Sequence, residues 1–240
     1  MTSARRSAIV LVEDHSLFAD ALLLALEIDG YMVGRLPLDA EYLATGRFVG
    51  AVLGLHPRIV LLDLDLGTQG SGLRILGPLV KVGITVVVVT GETDPVRWGQ
   101  CIQAGAAKVI GKGTPLSEIR ALMHRLDMGC PVMSRAERDE LLDLWCKHQD
   151  ETRDLQTRLD RLSVREAEVL GMLMVGSQVT DIARGRSVSE STVRTQVKAV
   201  LGKLQVNSQV AAVGLAHRAH WHPPSSPSLL PSPRRPDWAS

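Results

Sequence analysis

Four short apolar runs along the chain each end on a polar residue suited to phosphate chemistry. Ala8-Ile9-Val10-Leu11-Val12 runs into Glu13-Asp14, and Ile59-Val60-Leu61-Leu62 runs into Asp63. Ile84 to Val89 runs into Thr90, and Val109-Ile110-Gly111 leads to Lys112. Runs this short, bounded by turn residues, predict strands, and the all-apolar Ile84 to Val89 predicts one covered on both faces. As parallel strands of one sheet they would end along a single edge, and ligands in open α/β sheets sit beyond the carboxyl ends of the strands. Three acids, a hydroxyl and an ammonium would then share one crevice, a set able to hold a divalent cation and a phosphoryl group.

Between the runs the pattern becomes helical. Leu17, Ala21, Leu24 and Ile28 have helical spacing over Ser16 to Ile28, and Asp29-Gly30 supplies a stop. Tyr31-Met32-Val33 is a weak second strand, and Asp39 to Phe48 reads as helical, with Gly50 and Pro57 as breaks. The third strand starts at Arg58, and the glycine-rich loop Gly67 to Gly72 leads into a helix from Leu73 to Lys81. Pro95 opens a helix that runs to Ala104 and ends at Gly105. Lys108 to Gly111 is the fifth strand, and Pro115 opens a last helix through Leu126. Five strands alternating with five helices predict a five-stranded, doubly wound parallel sheet.

Residues 134–160 are charge-rich and contain no Gly or Pro. Leu141, Trp145, His148, Thr152, Leu155, Leu159 and Leu162 are spaced alternately by four and three, a heptad seam with two polar positions. Two readings stand side by side: a linker that pairs with its twin in a dimer, and an amphipathic helix packed on the α/β domain that precedes it. Short helices follow at Val164 to Met174, Gln178 to Gly185, Glu190 to Leu204 and Ser208 to His217, with Ser189 as the N-cap of the third. From His222 the chain turns to Pro and Ser, too polar to offset ordering entropy, which predicts a disordered tail. The expected organisation is an α/β domain over 1–126, a helical linker over 127–160, a small four-helix domain over 161–219 and a tail over 220–240.

Composition narrows the class. Of 240 residues, 45% are hydrophobic and only 3% aromatic, so the core is mostly Leu, Val, Ile and Ala. Lys plus Arg number 27 against 26 Asp plus Glu, so any DNA contact must come from a local basic patch. Cys101, Cys130 and Cys146 form no CxxC pair and fit reduced thiols of a cytoplasmic protein. No apolar stretch approaches the roughly 20 residues that span a bilayer, and Glu13 and Asp14 interrupt the first run too early for a signal peptide.

Asp63, at a strand end in the middle of the set, is the candidate nucleophile for an aspartyl-phosphate. Two carboxylates about 4 Å apart repel by roughly 4 kcal/mol at an effective dielectric near 20, and a bound cation removes that conflict between Asp14 and Asp63. A few carboxylates with waters and phosphate suit Mg²⁺. Glu13 would act beside the metal or through water, Asp65 through its backbone carbonyl, Thr90 as a hydrogen-bond donor and Lys112 as a neutralising charge. Taken singly, each polar residue is more simply a cap or a solvated charge; four at successive strand ends are harder to assign so.

Residues 8–126 resemble the receiver domain of bacterial two-component response regulators. The matching residues are Glu13-Asp14, Leu62-Asp63-Leu64, Val89-Thr90-Gly91 and Gly111-Lys112-Gly113. The resemblance implies a flavodoxin-like fold, a histidine kinase as phosphoryl donor and Asp63 as acceptor. Two departures are visible: Leu66-Gly67 replaces the usual Met-Pro after the acceptor, and Val109 stands at the switch position that is usually aromatic. Val109 cannot make the large swing that couples the family's Thr to its output.

Residues 162–213 resemble the LuxR-type helix-turn-helix. Leu162 to Leu170 matches its opening helix, Asp181-Ile182-Ala183 its scaffold helix, and Ser189 to Arg194 the start of its recognition helix. Together the modules resemble the NarL/FixJ class, which implies a transcription factor, not an enzyme, acting as a homodimer on paired promoter half-sites. By that resemblance Arg194, Thr195 and Lys198 face DNA, and Ser191 and Thr192 are phosphate contacts. The charges agree: Arg184, Arg186, Arg194, Lys198 and Lys203 stand against Asp181 and Glu190. The turn Gly185-Arg186-Ser187 lacks the family's Leu and Gly, so Arg186 is either exposed or reaches the DNA backbone. Two rivals remain. In one, the receiver dimerises without phosphorylation. In the other, Asp63-Leu64-Asp65 is the nucleophile motif of a haloacid-dehalogenase-like phosphatase, although Gly67 stands where that motif wants Thr or Val.

Overall fold

The computed structural model describes residues 8–36, 47–67 and 71–223. Most of the helix expected from Asp39, the middle of the loop before Gly72 and most of the tail lie outside the described residues. The chain divides into two compact units, Met1–His148 and Gln149–Ser240.

The first unit contains strands β1 (Ala8–Val12), β2 (Met32–Arg35), β3 (Ile59–Asp63), β4 (Thr85–Thr90) and β5 (Lys108–Gly111). All pairings are parallel, in the order β2-β1-β3-β4-β5. The order reverses beside β1, so the crevice of such a sheet opens beyond the ends of β1 and β3. Helices α1 (Ser16–Ile28), α2 (Arg47–Gly54), α3 (Leu73–Lys81), α4 (Pro95–Gln103) and α5 (Leu116–Asp127) follow the strands in turn. Because side chains alternate along a strand, β1 sends Ile9 and Leu11 into one core layer and Val10 and Val12 into the other.

Two expectations shift in detail. Gly50 does not break a helix; it lies within α2. The helical spacing of Leu17, Ala21, Leu24 and Ile28 correctly marks α1, but these residues form its solvent face, with Leu17 86% exposed. The core face is Ala19, Leu22, Ala25 and Leu26, and a helix apolar on both sides shows the same period for either.

Residues Arg135–Asp160 form one helix, α6. Within the first unit, Leu141 and Leu142 pack against the core layer that contains Val109, and Lys108 Nζ lies 2.5 Å from Glu137 Oε1. Gly99 of α4 makes the approach possible: a Cβ there would stand 2.1 Å from the Leu141 carbonyl oxygen and 3.0 Å from Trp145 Cβ. Within the second unit, Leu155, Leu159 and Leu162 join that unit's core. Leu141 thus packs as a helix laid on the α/β domain would, whereas Leu155, Leu159 and Leu162 serve the second unit's core instead.

The second unit adds α7 (Val164–Met174), α8 (Val179–Gly185), α9 (Glu190–Leu204) and α10 (Gln209–Arg218). Ser163 and Glu166 form a reciprocal capping box at the start of α7. Glu166 Oε2 also accepts from Lys203 Nζ at 2.6 Å, tying α7 to the end of α9. Among the described residues no helix is long and apolar enough to cross a membrane.

Candidate functional site

The strand ends deliver their polar residues to one place. Glu13 and Asp14 follow β1, Asp63 ends β3, Thr90 ends β4 and Lys112 follows β5. Asp63 is 1% exposed and Glu13 4%, and both face the Lys112 ammonium. Lys112 Nζ donates to Asp63 Oδ2 at 2.7 Å and to Glu13 Oε1 at 2.8 Å. The other Asp63 oxygen accepts from the Asp65 amide at 3.1 Å. Two glycines stand close against the site's acids. A Cβ on Gly72 would collide with the Asp63 carbonyl oxygen at 2.0 Å, and one on Gly67, which has φ +57°, would stand 2.9 Å from Asp14 Oδ2.

Burial dominates the electrostatics of Asp63. It pushes the carboxyl up to about 6, with the Glu13 charge acting in the same direction and the hydrogen bonds from Lys112 and Asp65 opposing. Burial alone would lower Lys112, but its bonds to Asp63 and Glu13 and their charges hold the ammonium above the ordinary lysine value. The pocket therefore pairs a firmly charged cation with a buried carboxylate of raised basicity.

Of the residues expected here, Glu13, Asp14, Asp63 and Lys112 converge. Thr90 shares the edge, its hydroxyl oxygen accepting from the Glu92 amide at 3.0 Å. The Asp65 side chain is turned away, to the Gly67 amide at 3.0 Å. His15, which the strand-end pattern does not single out, joins the cluster with Nδ1 3.1 Å from Lys112 Nζ. The available signal was its position directly after the acid pair.

In the second unit, α9 buries Val193, Val197, Val200 and Leu204. This leaves Ser191, Thr192, Arg194, Thr195 and Lys198 exposed. The Ser189 hydroxyl caps the helix, accepting from the Thr192 amide at 3.1 Å, and lies 2.8 Å from both the Ser191 and Thr192 hydroxyls. Arg194 pairs with Glu190 at 3.2 Å, and the Thr195 hydroxyl donates to the Ser191 carbonyl at 3.0 Å. Arg186 is neither exposed nor free for DNA: its side chain is 7% exposed and pairs with Glu168 at 2.7 Å. Glu168 of α7 compensates its charge. Ser187 takes the left-handed conformation, φ 53°, that a turn glycine would adopt without strain.

Two family profiles match. Residues 9–124 match the response regulator receiver domain, and residues 160–216 match the bacterial regulatory proteins of the luxR family.

The chain belongs to the response regulators with a LuxR-type DNA-binding domain.

Curated relatives of this regulator align along nearly their whole length. The transcriptional regulatory protein DesR of Bacillus subtilis is 25% identical over 216 residues, 89% of this chain and 98% of its own. A nitrate/nitrite response regulator protein homolog of Haemophilus influenzae is 27% identical over 212 residues, 86% of this chain and 94% of its own. A solved structure of the Salmonella typhimurium RcsB response regulator, 18% identical, covers 90% of this chain and 100% of its own at a TM-score of 0.49. Response-regulator membership decides against the phosphatase reading and does not favour the receiver that only dimerises.

Proposed function

We propose that this regulator takes a phosphoryl group onto Asp63 from a histidine kinase and uses the change to control DNA binding through α9. The convergence of Glu13, Asp14, Asp63 and Lys112 beyond β1 and β3 is the observation that carries the reading. In this reading, residues 1–126 are the receiver, 127–160 the linker, 161–219 the DNA-binding domain and 220–240 a tail. The active form is a homodimer on paired half-sites.

In the transfer, an Asp63 oxygen bonds to phosphorus as the P–N bond to the donor imidazole breaks, and the electron pair leaves with the imidazole nitrogen. The Lys112 ammonium and the Asp65 amide hold the carboxylate in place, and Lys112 then offsets charge on the phosphoryl oxygens. Thr90 keeps its own O–H available to donate to one of them.

The pocket fits Mg²⁺: its acids offer oxygen donors, and the missing Gly67 Cβ leaves space beside Asp14. Asp14, Asp63 and the Asp65 carbonyl would hold the ion, with Glu13 beside it. When bound, the ion neutralises the carboxylates and the transferred oxygens.

On the DNA side, Arg194, Thr195 and Lys198 contact base edges, and Ser191 and Thr192 contact phosphate.

Incubation with acetyl phosphate and Mg²⁺ followed by intact-mass measurement tests the site. The wild type should gain one phosphoryl group and Asp63→Asn none. No gain in wild type, or an equal gain in the variant, removes the assignment.

A further inference from the structure

His15 occupies a position that its own local geometry does not use. It is the N-cap of α1, where Ser, Thr, Asp or Asn commonly accepts from a first-turn amide. The His15 side chain makes no capping hydrogen bond. Its ring turns back over the acids, with Nδ1 2.9 Å from Asp14 Oδ1 and 3.2 Å from Glu13 Oε1. The side chain is 67% exposed, so close packing does not force this orientation.

One oxygen from each of Glu13, Asp14 and Asp63 and one nitrogen of His15 all lie within 4.8 Å of one another. Ligands at adjacent corners of an octahedron with bonds of about 2.1 Å are separated by about 3.0 Å. The two short His15 separations have that size. The N-terminal edge of α1 therefore offers a nitrogen donor alongside the oxygen donors that the receiver chemistry needs.

We propose that His15 is a direct nitrogen ligand of the divalent cation in this pocket and biases the site from Mg²⁺ toward Mn²⁺. The inference rests on the pocket being a metal-assisted phosphoryl site. Mg²⁺ favours oxygen donors, whereas an imidazole favours later first-row metals, so a mixed N/O set changes the preference. For this role the proton sits on Nε2 and the Nδ1 lone pair faces the acids. Nδ1 has a single lone pair, so on coordination it gives up its contact with Lys112 Nζ, 3.1 Å away.

The test uses full-length protein stripped with a chelator and loaded with MnCl₂ alone. Electron spin echo spectroscopy of the bound Mn²⁺ should show modulation from one imidazole nitrogen. The pattern should change when histidine is labelled with ¹⁵N, and it should vanish in His15→Ala. His15→Asn, which can cap α1 without an imidazole, should behave as His15→Ala does, separating coordination from helix stability. In competition binding, both variants should lose at least about tenfold in Mn²⁺ affinity while keeping Mg²⁺ affinity. Bound Mn²⁺ without nitrogen modulation, or modulation that survives in both variants, overturns the role of His15 and leaves the pocket standing. If neither Mn²⁺ nor Mg²⁺ binds the wild type, the pocket reading itself falls.

Discussion

At the scale of single residues, charge is placed where burial makes it consequential. Burial alone would raise Glu166, but the bond from Lys203, the Ser163 amide and the Ser163 hydroxyl outweigh it and hold the carboxyl below the ordinary glutamate value. A group whose folded pKa is depressed stabilises fully above its unfolded value, and that contribution fades as pH falls through the folded one. The second unit should therefore lose thermal stability as pH drops below about 4.3, and Glu166→Gln should flatten the dependence. Melting followed by circular dichroism between pH 3 and 7 checks this; parallel curves for both proteins would contradict it. Arg194 is the residue proposed above for base recognition. It is exposed and shares only a surface pair with Glu190, so it can exchange that partner for a base edge at little cost. Arg194→Ala should weaken binding to a selected duplex by roughly 1–3 kcal/mol and relax sequence preference, measured by titration at fixed salt. Unchanged affinity and preference would rule out base reading by this side chain.

At the scale of elements, the contact between α4 and α6 is the most exacting. Gly99 is buried where the Leu141 carbonyl passes, and no side chain larger than hydrogen fits without displacing a helix. Gly99→Val should lower the melting temperature of the first unit, in keeping with overpacking costs of about 1–3 kcal/mol. Hydrogen exchange should quicken over 135–145 and remain unchanged over α7 to α10. Protection of 135–145 equal to wild type would show that the seat adapts. Val109 belongs to the core layer on which Leu141 and Leu142 of α6 pack.

At the scale of the whole molecule, much of the architecture was legible because the chain states it in two clear periods. The continuous apolar run from Ile84 to Val89 reads as a strand covered on both faces, and the polar residues that end the runs fall along one sheet edge. Ser189, read as the N-cap of α9, does cap it, accepting from the Thr192 amide. What stayed hidden depended on contacts between distant residues. Leu17 and Leu22 carry the same kind of side chain, and only the packed fold distinguishes the solvent face from the core face. Arg186 was unreadable because its partner Glu168 lies on another helix. Gly99 looked like any other glycine until Leu141 was placed against it.

Val109 also bears on the phosphorylation proposed for Asp63. Fixed inside the sheet with no ring to rotate, it cannot toggle between an inward and an outward pose. The strand beyond it is joined to its neighbour through the Lys112 amide and the Thr90 carbonyl at 2.8 Å. Were Asp63 phosphorylated as proposed, a ring swing at this position could not report it to the rest of the receiver.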